Sequence, residues 1–228
     1  MAVPRRAESL IRSLAILAGA VLAGLAGLPA KPAVAADRPG EFDYWVLALS
    51  WSPQYCRGAP SNPQCTQPRG FVVHGLWPQY ESGAPTYCGK RERVPDALVE
   101  RMLPLMPDRE LVQQQWRKHG SCSGLDMAEY FLNVERAWRR IVVPSRFDDS
   151  GDFYELSTPE LERAFTDVNP GIGADAIALQ CSGRWLREAR FCFDREFQPR
   201  SCGEDVTDRC RGKTAVRPVR AQPQPLVR

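Results

Sequence analysis

Histidine is scarce in this 228-residue chain: there are two, His74 and His119. Two imidazoles far apart in sequence, with no close C-x-x-C pair, leave no ligand spacing for a structural zinc site. No cluster of acids or histidines has the spacing expected of a metal-dependent phosphodiesterase. Uninterrupted apolar runs are also missing. The longest, Leu14 to Leu28, is broken by glycines and ends at Pro29, short of the ~20 apolar residues a spanning helix needs. No segment repeats, which excludes solenoids and propellers. The length suits one well-buried domain and is too short for two.

The first 35 residues have the form of a cleaved export signal: Arg5, Arg6 and Arg12, then the short apolar run, then Ala33-Val34-Ala35 as a small-residue cleavage site. That segment carries four basic residues against Glu8, which accounts for the whole net charge of +3. The remainder is close to neutral overall, with its charge unevenly placed. From Arg209 to Arg228 there are six basic residues and no acid, so residues 211–228 read as a disordered basic tail. All eight cysteines follow the signal. An even count in an exported chain implies disulfides, and eight cysteines allow 105 pairings, among which spacing does not choose. The expected location is the periplasm or the cell exterior, with no membrane attachment of the mature chain.

Residues 36–210 then form the expected domain. Phe42 to Trp51 is dense in β-formers and stops at Pro53; Gly70 to His74 reads as a second short strand ended by Gly75 and Pro78. Helices are expected over 95–106, 109–119 with Asp108 as cap, 126–143 and 158–168. Ala176 to Cys181 and Trp185 to Phe193 read as paired strands around Ser182-Gly183. Strands, then helices, then strands imply an α+β fold with a largely antiparallel central sheet flanked by helices.

Chemistry concentrates in two stretches, Phe71-Val-Val-His74-Gly-Leu-Trp77-Pro78 and Gln113-Gln114-Gln115-Trp116-Arg117-Lys118-His119-Gly-Ser-Cys122. Two histidines can divide the proton work of cleaving RNA, one removing the 2′-hydroxyl proton and the other protonating the leaving 5′-oxygen. On a helix Gln115, Lys118, His119 and Cys122 share one face. Lys118 can meet a phosphate as a point charge, and its proximity disfavours protonation of His119, favouring the base role. Trp77 and Trp116 read first as core residues and second as platforms for bases.

At these residues the chain resembles the ribonuclease T2 family of secreted endoribonucleases, through FVVHGLWP at 71–78 and WRKHGSC at 116–122. The segments at 49–56 and 181–192 add to the likeness, which spans residues 43 to about 210. The resemblance implies a disulfide-stapled α+β fold and cleavage of single-stranded RNA by a monomer without metal or other cofactor. Products would be 2′,3′-cyclic phosphates, then 3′-phosphates. His119 matches the general base, His74 the general acid and Lys118 the residue stabilising the transition state. Trp77 matches a base-pocket residue, and Gln79 stands where the family carries an acid that reads the base. By the same analogy the disulfides are Cys56–Cys65, Cys88–Cys122, Cys181–Cys210 and Cys192–Cys202. One departure stands out. Gln115 replaces the family's usual glutamate and Gln114 a common histidine. Gln115 can still bond a phosphate oxygen, but it lacks the charge that would raise the pKa of His119. The expectation is a slower enzyme whose base limb lies at lower pH; the alternative is a non-catalytic member that binds RNA or another partner.

Overall fold

The computed structural model describes residues 38–148 and 151–220; the expected export signal and the last eight residues lie outside them. A six-stranded mixed sheet forms the centre, with strands β1 (Tyr44–Trp51), β2 (Phe71–Gln79), β3 (Tyr154–Ser157), β4 (Ile177–Ser182), β5 (Trp185–Phe193) and β6 (Lys213–Val216). The order is β2-β1-β5-β6-β3, with β4 also on β5. All pairings are antiparallel except β5 with β6, which is parallel.

Helix α1 (Ser52–Gly58) follows directly on β1 and stands outside the main core, whereas α2 (Asp96–Met102), α3 (Arg109–Lys118), α4 (Met127–Trp138) and α5 (Thr158–Thr166) pack their apolar side chains into that one core with the sheet. Their starts follow from local chemistry. Asp108 accepts from the Glu110 N–H at 2.9 Å, Asp126 and Glu129 form a reciprocal capping box, and the Glu160 carboxylate accepts from both the N–H and O–H of Ser157. The core between helices and sheet is rich in rings: Trp51, Phe71, Phe147, Phe165 and Phe191 pack edge to face or tilted. Each such buried side chain contributes about 1.5–3 kcal/mol.

Four disulfides join Cys56–Cys65, Cys88–Cys122, Cys181–Cys210 and Cys192–Cys202, the pairs the family resemblance implies. Among the described residues no helix is long and apolar enough to cross a membrane.

Two expectations need correction, the end of β2 and the start of the tail, and two elements, α1 and β3, were not expected. β2 does not stop at Gly75 but runs to Gln79. It is an edge strand, where the missing N–H of Pro78 costs no ladder bond. Pro53 does more than end β1: it sits in the first turn of α1, where its fixed φ suits a helix start. Residues 213–216, assigned to a disordered tail, form β6, with Thr214, Ala215 and Val216 buried. A four-residue strand disappears in the basic, proline-rich composition around it. β3 carries no clear sequence signal, being four residues long and only half-buried.

Candidate active site

β1 and β2 run in register from Tyr44 opposite Gln79 to Ala48 opposite Gly75, and resume with Leu49 opposite Val73. His74 is the extra residue of this β-bulge, a device that re-aims a side chain. Its ring faces β5, where Nδ1 lies 2.7 Å from Glu188 Oε2. Glu188 is 3% exposed and also accepts from Arg190 Nε at 2.7 Å. Burial alone would raise this carboxyl, but the bond and charge of His74, followed by Arg190, outweigh it and hold it below the usual carboxylate range. With Nδ1 engaged, Nε2 of His74 is left for a ligand.

His119 reaches the site from the other layer. α3 ends at Lys118, and His119 is its C-cap, with its N–H on the Gln115 carbonyl. Cys122 follows in a short 3₁₀ turn, so the expected single helical face is interrupted there. Three ties hold this corner: the Cys88–Cys122 disulfide, the Tyr87 N–H on the Lys118 carbonyl at 2.9 Å, and close packing at Gly120. A Cβ on Gly120 would come within 2.4 Å of the Trp116 ring.

Trp77 links the two histidines. Its indole lies stacked on His119 at 5.2 Å between centroids and meets His74 edge-on at 5.2 Å. The Trp77 Nε1–H donates to Gln115 Oε1 at 2.8 Å. This bond passes directly over Gly75, where a Cβ would fall 2.0 Å from that oxygen and 2.5 Å from the indole nitrogen. Gln115 is therefore a buried residue whose acceptor oxygen holds the tryptophan.

The electrostatics of the two rings differ. His119 is 5% exposed, and its Nδ1 is buried without a hydrogen-bond partner. Burial, then the Lys118 charge, then His74 push its pKa down from 6.5 to about 3, so the ring is neutral at ordinary pH. The lysine effect anticipated from sequence is present, second to desolvation.

Other predicted residues distribute as follows. Gln114 is exposed and lines, with His74, Tyr55, Glu188, Arg187 and Arg190, a cleft of ≈ 340 Å³. Lys118 is half-buried and forms no ion pair among the described residues. Trp116 packs on Tyr130 in the core. Gln79 is buried at the far end of β2, opposite Tyr44, roughly 17 Å of strand from His74. Sequence reasoning missed Glu188 and Arg190. The available signal was an acid between Leu186 and Ala189 in an otherwise buried strand, since a buried carboxylate needs partners. Among the described residues no group of three His, Cys, Asp or Glu side chains is placed to hold a metal ion.

A bulge-borne imidazole on a carboxylate, a second neutral imidazole and a neighbouring lysine define an acid–base site on a disulfide-stapled α+β scaffold. The profile of the ribonuclease T2 family matches residues 42–202, and the chain belongs to that family. A ribonuclease of Aeromonas hydrophila is 40% identical over 160 residues, covering 69% of this chain and 74% of the relative. A probable ribonuclease of Haemophilus influenzae is 31% identical over 182 residues, covering 70% of this chain and 61% of the relative. The solved structure of trichomaglin, described as an S-like ribonuclease, shares the fold with a TM-score of 0.62 at 22% identity, covering 78% of this chain and 98% of that one. The family is one of ribonucleases, which makes RNA the substrate class.

Proposed function

We propose that the chain cleaves single-stranded RNA endonucleolytically, without a metal ion or other cofactor, through a 2′,3′-cyclic phosphate to a 3′-phosphate. His119 takes the 2′-hydroxyl proton while the 2′-oxygen forms its bond to phosphorus. His74 protonates the 5′-oxygen as the bond from phosphorus to that oxygen breaks. Lys118 offsets charge on the non-bridging oxygens. In the second stage water takes the place of the leaving alcohol and the histidines exchange roles. The observation that carries this reading is the asymmetry of the two rings on Trp77. One is buried and neutral, as a base must be; the other is held by Glu188 with Nε2 free to donate.

Gln115 acts here by holding Trp77 and so the stack on His119. Gln114, at the cleft edge, is assigned to the substrate phosphate. Trp77 and Gln79, on one face of β2, are assigned to a base pocket. A base with a pKa near 3 is a weak one, and proton transfer follows basicity, so the enzyme is expected to be slower than members carrying glutamate at position 115. The export pattern of residues 1–35 and four disulfides support a periplasmic or secreted protein, which is taken to act as a monomer.

The test is cleavage of a short single-stranded RNA by oxidised protein in EDTA, with His119→Ala alongside. Cyclic-phosphate ends from the wild type and none from the variant are expected. Folded wild-type protein that binds RNA but leaves it intact would replace this reading with the non-catalytic one.

A further inference from the structure

Beyond the histidine pair, positive charge gathers at the end of β5 without matching acid. Gln180 and Ser182, two residues apart on β4, pair with Glu188 and Trp185. Trp185 therefore stands on the same sheet face as Glu188, about 7 Å further along. The register shift between these pairs leaves Arg187 as a bulged, exposed residue with no ion pair among the described residues. Arg217, just past β6, places its guanidinium 3.6 Å from the centre of the Trp185 ring and donates from Nε to Gln54 of α1 at 2.7 Å. Phe153 meets Trp185 edge-on at 5.7 Å and is 52% exposed.

Arg57, exposed at the end of α1, lies near enough to Arg217 for the two charges to repel. Neither has a carboxylate partner among the described residues. The nearby acids are already taken, Glu155 by Arg184 and Asp152 by Arg220. Two unneutralised arginines, one of them stacked on an indole, and an exposed ring are the elements of a single-strand site: charge for phosphate, flat surfaces for bases. The strip adjoins the cleft along β5, since Glu188 and Arg187 line the cleft with His74 and Trp185 stands on the same sheet face as Glu188.

We propose that Arg57, Arg217 and the Trp185–Phe153 platform form a subsite for the RNA segment on the 3′ side of the cleaved phosphate. A downstream phosphodiester would sit between the arginines and its base against Phe153. The direction rests on the proposed function: His74 protonates the leaving 5′-oxygen, and the strip begins at its partner Glu188.

The experiment uses DNA oligonucleotides carrying one ribonucleotide, so that cleavage occurs at one place. One ends a single nucleotide beyond it, one is extended several nucleotides to the 3′ side, and one is extended equally to the 5′ side. For the wild type, kcat/KM should be about 10-fold higher with the 3′ extension than with the short substrate. Arg57→Gln and Arg217→Gln should each remove most of that advantage and leave cleavage of the short substrate unchanged. Each should also flatten the salt dependence by about 0.7 per lost phosphate contact.

No 3′ advantage in the wild type, or an advantage on the 5′ side, would overturn the subsite. So would an unaltered advantage in Arg57→Gln, whose exposed side chain supports no packing that the fold needs. Wild-type protein that cleaves none of the three substrates would sink the ribonuclease reading, and the subsite with it.

Discussion

The two histidines have the same chemistry and opposite surroundings. His74 rides on a bulge in an edge strand, its side chain is 35% exposed, and a buried carboxylate engages its Nδ1. His119 caps a helix, is 5% exposed, has no partner on Nδ1, stacks on the Trp77 ring and feels the charge of Lys118. The difference comes from the scaffold. A strand bulge can offer a side chain to a cleft, whereas a disulfide-pinned helix end can bury one against an indole. On the proposed mechanism, the comparison teaches that acid and base can be made from one residue type by placement alone.

Removing either ring should have the largest effect. His119→Ala and His74→Ala should each lower the rate of cyclic-phosphate formation by about 10²–10⁴-fold, measured in single turnovers on folded protein. Equal activity in either variant would break the division of labour. Glu188→Gln should lower kcat by about tenfold through misplacement of His74, with KM little changed. A rise in KM alone would make Glu188 a binding residue instead. Gly75→Ala drives a methyl into the Gln115–Trp77 bond. It should cost about 1–3 kcal/mol of stability, seen by urea denaturation, and should slow cleavage by unseating the indole. Gln115→Glu should act more gently, raising the His119 pKa and moving the base limb of the pH–rate profile to higher pH. An unchanged profile would mean that residue 115 has no electrical influence on the ring.

Stability should register the same asymmetry. The folded pKa of His119 lies below its unfolded value, so its neutral form is favoured by folding. Between pH 6.5 and about 3 the unfolded chain protonates this ring and the folded chain does not. Stability should therefore fall as pH drops through that window and be unaffected above it. Denaturation midpoints across pH should show this loss in the wild type and a smaller one in His119→Asn.

Much of this was legible in the residues, for identifiable reasons. Helices α3, α4 and α5 announce themselves by Asp108, Asp126 and the Ser157–Glu160 pair, because capping is a local interaction written in adjacent positions. The histidine-bearing segments and the adjoining lysine could be read for the same reason. What could not be read depends on neighbours distant in sequence. The bulge at His74 exists only as a mismatch between β1 and β2. Glu188 matters because the sheet carries it to a histidine 114 residues away. Gln115 looks like a substrate ligand in the sequence, and only the fold shows its oxygen committed to Trp77. β6 was obscured because four strand-forming positions lie within a basic, proline-rich stretch whose composition describes a different state.

The most direct test uses the scarcity of histidine. With two histidines in the chain, the imidazole region of a nitrogen–proton NMR spectrum contains two ring systems, assigned by loss of one in His119→Ala. The account predicts that the His119 ring remains neutral at pH 5 and begins to protonate only as the pH approaches about 3. A His119 ring already charged at pH 5 in the folded protein would contradict it.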